Sequence, residues 1–273
     1  MSILITGATG QLGTMIVKRL VELVPPGQVI AGVRNLQKAE PLRSLGAGIR
    51  VVDYDLPDTL GEAFAGVTKL LLISSSNTDD DIRYVQHSHV IEAAKNAKVE
   101  HFLYTSIAFP KPGADPQHNV HLRTEQAILN SGLNYTFLRN ALYTDFVGVL
   151  GLNEAITSGE LITAPGEWAF NTATRRDLAL GTASILASTG HENTVYELSA
   201  SETWGFGHLA AVLSEISGQP VVHKQDAGVQ HWIYPFLVKL DTSSTSRDLE
   251  TFIGGPLLSL KESIIPFIRT TGD

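Results

Sequence analysis

Three glycines, each three residues from the next, stand near the start of the chain in the stretch ILITGATGQLG (residues 3–13). They follow a short apolar run and precede a helical pattern, so they occupy a strand-to-helix turn. Glycine there permits a tight turn, close approach of the backbone to a phosphate, and close packing of helix on strand. The helix N-terminus adds unpaired N–H groups and a favourable dipole. A plain turn is the alternative, but this setting favours a dinucleotide-binding loop. The residues assigned to it are Gly7, Thr9, Gly10, Gln11, Leu12 and Gly13.

The end of the second predicted strand indicates which dinucleotide is bound. In such folds an acidic residue about 20 residues beyond the glycines holds the ribose of NAD. This chain has AGVRN there, with Arg34 and with no acid before Glu40. A guanidinium fork suits a 2′-phosphate, and Lys38 adds a second positive charge. The pattern favours NADP over NAD, with a solvated surface arginine as the alternative.

Up to about residue 138, the sequence predicts alternating strands and helices, which would position the glycines and Arg34. Strands are predicted over residues 2–6, 28–33, 49–53, 69–74, 101–105 and 134–138, and helices over 12–24, 36–45, 60–64, 82–97 and 121–130. Short apolar strands separated by helical lengths are typical of a parallel sheet covered on both faces. The predicted class is therefore α/β: a Rossmann-like doubly wound parallel sheet with a smaller C-terminal α/β lobe.

Beyond about residue 140 the pattern is less regular. Residues 158–179 are rich in turn formers and lead into a helix over 176–187, followed by a strand over 195–198, a helix over 207–217 and two C-terminal helices. We predict an NADP-binding region over 1–140 and a smaller substrate-side lobe over 141–273, packed as parts of one continuous unit.

Composition excludes several classes of function. The 273 residues are 43% hydrophobic, as in a globular protein, and 20 Lys and Arg against 28 Asp and Glu give a net charge of −8. Without a basic patch, nucleic acid is not an expected partner. The absence of cysteine excludes disulfides and thiolate sites. No apolar run approaches the roughly 20 residues of a membrane span, and the early glycine loop leaves no room for a leader, so a cytoplasmic location away from membranes is predicted.

Several segments together carry a family resemblance. The stretches ITGATGQLG, VVDYD, LLLISSS, FLYTS, YTFLRNALY and VYELS, in this order, resemble the NmrA-like branch of the atypical short-chain dehydrogenase/reductase superfamily. Within that branch the pattern is most similar to the bacterial type 2 NAD(P)H:quinone oxidoreductases, and the similarity extends to DLETFIGGPLLSLKESI near the C-terminus. The expected cofactor is NADPH, with no flavin. His87 and His89, or His118 and His121, could suggest a metal, but no third ligand falls at a recognisable spacing and no His-Glu-x-x-His is present, so no metal is expected.

The resemblance also implies roles for residues at the ends of successive strands. Asp53 and Tyr54, after the third strand, would meet the adenine; a strand-end cap and a half-buried aromatic are the alternatives. Ser74, Ser75 and Ser76, after the fourth strand, would leave space for a ribose and offer hydrogen bonds. A serine-rich turn is the ordinary alternative there.

On the substrate side, the resemblance implies roles for residues at the ends of the fifth and sixth strands. Thr105 and Ser106 would approach the nicotinamide, and Asn140 and Tyr143 would line the far side of the pocket. The candidate pocket walls among the aromatic residues are Trp168, Phe170, Trp204 and Trp232, although buried aromatics more often belong to a core. The substrate-side candidates are Phe109, Asn140, Tyr143 and Trp168.

An expected catalytic pair is missing. Most dehydrogenases of the superfamily use Tyr-x-x-x-Lys, in which the lysine lowers the pKa of the tyrosine for proton transfer. No tyrosine lies between Ser106 and Ser131, and Gln117 and His121 stand at approximately the two places. Ordinary alcohol and ketone chemistry is therefore not expected. His121 is the candidate proton donor, and a helix surface position is the alternative.

A quinone makes this loss tolerable, because its ring accepts hydride readily and water can protonate the reduced oxygen. We therefore predict an NADPH-dependent reductase of quinones or similar planar electrophiles that works by direct hydride transfer. The alternative is an NmrA-like redox sensor that binds the dinucleotide without turnover and regulates a partner protein. A loop over residues 109–119 leaves room for another acceptor, such as an azo dye or an enone. The oligomeric state is left open.

Overall fold

The computed structural model describes residues 1–111 and 119–269. Its strands are β1 (Ile3–Ile5), β2 (Val29–Val33), β3 (Gly48–Val51), β4 (Lys69–Leu72), β5 (His101–Ile107), β6 (Tyr135–Asn140), β7 (Glu160–Thr163), β8 (Thr194–Leu198) and β9 (Val222–Gln225). Its helices are α1 (Gln11–Leu23), α2 (Glu40–Ser44), α3 (Pro57–Phe64), α4 (Asp80–Asn96), α5 (Val120–Ser131), α6 (Leu152–Ser158), α7 (Arg175–Ala187), α8 (Phe206–Ser217), α9 (Ile233–Leu237), α10 (Asp248–Ile253) and α11 (Leu260–Ile264).

Seven strands form one parallel sheet in the order β3-β2-β1-β4-β5-β6-β8. The chain winds outward from β1 in both directions, so the strand order reverses between β1 and β4. In such sheets this reversal opens a crevice at the carboxyl ends of the strands, where ligands bind. The predicted doubly wound α/β class is confirmed.

The central strands β1, β2 and β4 are buried on both faces of the sheet, which explains why they are almost entirely apolar. Along β1, Ile3 and Ile5 point into a core formed with α1 and α7, whereas Leu4 points into the core on the opposite face, against α3 and α4. Every residue of β1 is therefore fully buried, and no polar face is left. Parallel strands buried in this way hold the loops at their carboxyl ends rigidly.

The main sheet takes its last strand from beyond residue 140. β8 pairs with β6 over the register Thr136↔Thr194 to Asn140↔Leu198, and α7 packs along α1. The strand and helix predicted in this region are present as β8 and α7. They belong to the main sheet and to the helical layer on one of its faces. The expected boundary at residue 140 therefore does not coincide with the edge of the sheet.

A smaller cluster completes the chain. β7 and β9 form a two-stranded parallel sheet, which packs with α6 and α8 around aromatic residues such as Phe146, Phe170 and Phe206. The sequence analysis missed α6, β7, β9 and α9, because these elements are only four to seven residues long and lie among turn formers. In the first half, the helix expected over 36–45 is instead a 3-10 turn, Leu36–Lys38, followed by α2.

Within the described residues, no helix is both long enough and apolar enough to cross a membrane.

Candidate active site

The glycine loop between β1 and α1 has the geometry of a phosphate cradle. Gly7 has φ +59°, in the left-handed region, and its carbonyl accepts a hydrogen bond of 2.9 Å from the Gly10 N–H. A Cβ on Gly13 would lie 2.4 Å from the Gly7 carbonyl oxygen, so only glycine lets α1 pack this closely on the loop. α1 begins without a side-chain cap and without an acid in its first turn. Its first N–H groups are therefore available to an anion.

The loop opens onto a cavity of about 460 Å³ at the carboxyl edge of the sheet, which we call the glycine-loop cleft. Most of the residues predicted to bind the cofactor line it. They are Gly7, Thr9, Gly10, Arg34, Lys38, Asp53, Tyr54, Ser74, Ser75 and Ser76.

Five other residues predicted to bind the cofactor lie outside this lining. Gln11 is exposed on α1, and Leu12, only 6% exposed, packs into the core. Gly13 supports the loop from behind, as its contact with Gly7 shows. Thr105 and Ser106 line a neighbouring cavity instead.

Arg34 and Lys38 supply positive charge at the outer end of the glycine-loop cleft. Both side chains are exposed, and neither forms an ion pair with any residue that the structure describes. The Lys38 N–H bonds the Asn35 carbonyl, which fixes the turn that carries both cations. Two unpaired cations at the end of β2 can meet a phosphate, whereas a ribose-binding acid is absent there.

Tyr54 joins two strands as well as lining the cleft. Its hydroxyl lies 2.5 Å from Thr6 Oγ1 and 3.0 Å from the Ile73 carbonyl oxygen, and the Ile73 N–H donates to Thr6 Oγ1 at 3.1 Å. Burial raises the pKa of the Tyr54 hydroxyl, so it stays protonated. Asp53 accepts a hydrogen bond of 3.1 Å from the Asp55 N–H, as a strand-end cap does. The alternatives given for these two residues, a strand-end cap for Asp53 and a half-buried aromatic for Tyr54, therefore describe contacts that are present. Both residues also line the glycine-loop cleft.

A second cavity, of about 290 Å³, lies beside the first, and we call it the inner cavity. Ile73, Ser74 and Ser75 line both spaces, so only the end of β4 separates them. A ligand that extended along the glycine-loop cleft would reach the inner cavity at these residues. The remaining residues that line the inner cavity are Arg83, Thr105, Ser106, Ile107, His121, Asn140, Ala141, Leu142, Tyr143, Phe236 and Leu240.

Side chains from adjacent elements hold the shared segment after β4. The Ser74 N–H donates to Thr105 Oγ1 at 2.9 Å, and the Ser75 N–H donates to His87 Nε2 at 2.9 Å. Because His87 Nε2 accepts, its Nδ1–H donates to Thr124 Oγ1, also at 2.9 Å. Burial lowers the pKa of His87 to about 3, so this imidazole is neutral and serves as a fixed support.

His121, the candidate proton donor, lies in the wall of the inner cavity. Its Nε2 is 3.4 Å from Arg83 Nη2 and its Nδ1 is 3.0 Å from the Tyr104 hydroxyl oxygen. Since a guanidinium only donates, Nε2 accepts and the proton resides on Nδ1. Burial, and then the charge of Arg83, lower the pKa of His121 to about 3. The imidazolium form is therefore scarce at neutral pH. Gln117, the other residue noted near the missing pair, lies outside the described residues.

Sequence reasoning missed Arg83 and Tyr104. Arg83 belongs to the first turn of α4, and Arg83 Nη2 donates to Ser74 Oγ at 2.9 Å. A helix that follows a strand of a parallel sheet begins at the carboxyl edge, so its first turn faces the site. That rule would have identified Arg83, because a helix was predicted from residue 82. Tyr104 reads as a core residue in the sequence, and it is indeed fully buried.

A buried ionic network supports the floor of the inner cavity. Ser106 Oγ donates to Glu125 at 2.6 Å, and Arg139 bonds the same carboxylate through Nε at 2.9 Å and Nη2 at 2.7 Å. Arg139 also bonds Glu197 at 3.0 Å, and Glu197 accepts a 2.8 Å hydrogen bond from the Phe109 N–H. Phe109 has φ +48°, a strained value for a residue with a Cβ. The network holds the backbone of Phe109. Its side chain was predicted to contact the substrate, but it is not among the residues that line the inner cavity.

Asn140 and Tyr143, two of the substrate-side candidates, line the inner cavity. Asn140 is only 3% exposed, and neither atom of its side-chain amide has a hydrogen-bond partner among the described residues. A buried amide without partners is costly unless a ligand or water satisfies it. The Arg175 guanidinium lies 4.3 Å from the centre of the Tyr143 ring, and burial raises the pKa of the Tyr143 hydroxyl. The ring is thus a fixed wall.

Trp168 lies elsewhere. Its ring packs with Phe170, Phe206 and Tyr234 in the smaller cluster, and it borders a separate depression beside Lys111. Besides Tyr143, the inner cavity is lined by the aromatic side chain of Phe236, from the short helix α9. Its position could not be read from the sequence, because α9 has only five residues and no predicted partner.

Across residues 1–111 and 119–269, no three His, Asp or Glu side chains converge in a group that could hold a metal ion.

A Rossmann-like sheet with a glycine cradle at its strand reversal defines a dinucleotide-binding protein, and comparisons with known proteins agree. The model of a family described as NAD(P)H-binding matches residues 7–189. Quinone oxidoreductase 2 of Escherichia coli K12 is 35% identical, over 96% of this chain and 97% of that protein. Its structure with NADPH superposes with a TM-score of 0.83.

Two further relatives cover nearly the whole chain. The structure of Citrobacter sp. triphenylmethane reductase with NADP(H) is 42% identical and has a TM-score of 0.88, covering 98% of this chain and 100% of that one. The NmrA-like family domain-containing oxidoreductase flvB of Aspergillus flavus is 33% identical over 93% of this chain and 88% of its own. The chain belongs to the NAD(P)H-binding family, among its NmrA-like reductases. It is an oxidoreductase, and the resemblance inferred from the sequence motifs is confirmed.

Proposed function

We propose that the protein uses NADPH to reduce quinones, or planar electrophiles like them, by direct hydride transfer. The observation that carries this proposal is the contact between the two cavities. A cleft suited to a dinucleotide ends at Ser74 and Ser75, where a second cavity with largely apolar far walls begins. Relatives named for the reduction of quinones and of triphenylmethane dyes support a planar acceptor in that second cavity.

The residues of the glycine-loop cleft fit the dinucleotide part by part. Gly7, Gly10 and the uncapped start of α1 would hold the pyrophosphate. Arg34 and Lys38 would bind the 2′-phosphate, which is the basis for preferring NADPH to NADH. When bound, NADPH supplies the hydride.

The inner cavity would hold the acceptor. Leu142, Tyr143, Phe236 and Leu240 provide apolar and aromatic surface for a planar ring. The free amide of Asn140 can bond one carbonyl oxygen of a quinone and so fix its orientation. Fixed orientation supplies much of the catalysis in such a reaction.

No side-chain acid is required in this scheme. Hydride addition gives the quinone two electrons and one hydrogen nucleus, which leaves a hydroquinone monoanion, and one proton from water completes the hydroquinone. His121 is neutral at physiological pH because its pKa lies near 3, and its Nδ1–H donates a hydrogen bond to the Tyr104 hydroxyl oxygen. His121 therefore acts in this proposal as a wall residue rather than as the proton donor.

The decisive experiment is NADPH oxidation by the purified protein with and without a small benzoquinone. We expect turnover that requires the quinone and that is faster with NADPH than with NADH. Tight NADPH binding with no turnover on quinones, dyes or enones would instead favour the redox-sensor alternative. As expected from the sequence, we also propose a cytoplasmic location and a small molecule as the partner.

A further inference from the structure

Arg83 is the one charged residue among the described residues that line the inner cavity. Its side chain is 17% exposed, and Nη2 bonds Ser74 Oγ at 2.9 Å. Its Nε is buried and has no hydrogen-bond partner among the described residues. The guanidinium is therefore held in the wall with donor capacity to spare.

The other charged groups near Arg83 lie outside the lining of the inner cavity. Its ion-pair partner, Asp80, bonds Nη1 at 2.8 Å but is 60% exposed and does not line the cavity. On α5, His121 is neutral, and Glu125 is engaged by Arg139. Arg83 therefore carries the one formal charge among the described side chains that line the inner cavity, and this charge favours a negative charge on a bound molecule.

We propose that Arg83 stabilises the negative charge that hydride addition places on the acceptor's oxygen, and that it thereby selects acceptors that become anionic on reduction. This inference rests on the proposed function, because it concerns the same hydride transfer. A neutral quinone that takes up hydride becomes a hydroquinone monoanion, which Arg83 stabilises until water supplies the proton. A cationic triphenylmethane dye takes up hydride at its central carbon and becomes neutral, so Arg83 repels the reactant and gains nothing in the transition state.

The two acceptor classes provide a direct test. Arg83→Gln removes the charge but keeps a hydrogen-bonding side chain of moderate length. We expect its kcat with a neutral benzoquinone to fall about 10²- to 10³-fold, as for loss of a donor to a developing oxyanion. With malachite green, a cationic triphenylmethane dye, kcat should be unchanged or higher.

A matched control separates local from general electrostatics. Arg123 on α5 is also an arginine paired with a carboxylate, Asp81, at 2.7 Å, but it does not line the inner cavity. Arg123→Gln should leave the rates with both acceptors within about twofold of wild type, as expected for an exposed ion pair. Equal losses with quinone and dye in Arg83→Gln, or no loss with quinone, would overturn the proposal.

A binding measurement keeps the test independent of turnover and of folding defects. The protein saturated with NADP should bind 4-nitrophenolate, an anionic analogue of the reduced product, more tightly than neutral 4-nitroanisole. Arg83→Gln should abolish this preference, and Arg83→Lys, which keeps the charge, should retain most of it at unchanged affinity for NADP. An absent preference in wild type, or one that survives in Arg83→Gln, would refute the role of Arg83. If wild type reduces no quinone, the proposed function fails, while this comparison still decides whether the cavity favours anions.

Discussion

Replacing Arg34 by alanine should weaken NADPH binding about 10- to 30-fold and leave NADH binding nearly unchanged. A hydrogen bond to a charged group contributes about 1.5–3 kcal/mol. Arg34 is exposed, so solvent screening places it in the lower part of that range, about 1.5–2 kcal/mol, which corresponds to the stated loss of affinity. Lys38 borders the same end of the glycine-loop cleft and preserves part of the attraction.

Calorimetric titration at one fixed salt concentration measures this effect, because salt screens exposed charges. Lys38→Ala should cost less than Arg34→Ala, since an ammonium lacks the guanidinium fork. Arg43→Ala is the control: Arg43 is an exposed arginine on α2 that bonds Glu40 at 2.6 Å and does not line the glycine-loop cleft. If Arg34→Ala weakened NADPH and NADH equally, or if Arg43→Ala had the same effect as Arg34→Ala, Arg34 would not bind the 2′-phosphate.

Three further predictions concern the loop, the cavity wall and the buried histidines. Gly10→Val should abolish NADPH binding while the sheet stays folded, because a branched side chain would fill the cradle; a folded variant with normal affinity would show that the phosphates lie elsewhere. Tyr143→Ala should change KM and kcat for the quinone together, since the ring positions the acceptor, and a change in neither would remove Tyr143 from the site. His87 and His121 have pKa values of about 3 against an ordinary 6.5, so the unfolded chain binds more protons between these values. The free energy of unfolding should therefore be constant above about pH 6.5 and fall as the pH is lowered toward 3, as measured by denaturant titration; equal stability at about pH 7 and 4.5 would contradict the neutral assignment.

The sequence identified the parts of the site that depend on local pattern. Gly7, Gly10 and Gly13 have a spacing that one strand-to-helix turn requires, and Arg34 follows at the end of the next strand. Ser74 and Ser75 follow an apolar run, and the family resemblance implied their role beside the cofactor. In each case the strand end itself places the residue at the carboxyl edge, so no knowledge of distant contacts is needed.

Other parts depend on contacts between distant segments. Arg83 reaches the site because α4 starts at the strand reversal, and its partner His121 comes from α5, 38 residues later. Phe236 enters from a helix of five residues that only the packing of the smaller cluster fixes. Trp168 was expected in the pocket from its type alone, and it packs in the aromatic cluster instead. Periodicity carries no signal for such placements.

The most direct test of hydride transfer without a side-chain acid is the single-turnover rate of His121→Gln with benzoquinone. NADPH deuterated at the transferred position should slow this step in both wild type and variant, which identifies it as hydride transfer. We predict that His121→Gln retains much of the wild-type rate and that the rate changes little between about pH 6 and 8, because His121 is already neutral there. A loss of about 10²- to 10⁴-fold, with disappearance of a histidine-like limb in the pH profile, would contradict the mechanism and make His121 the proton donor.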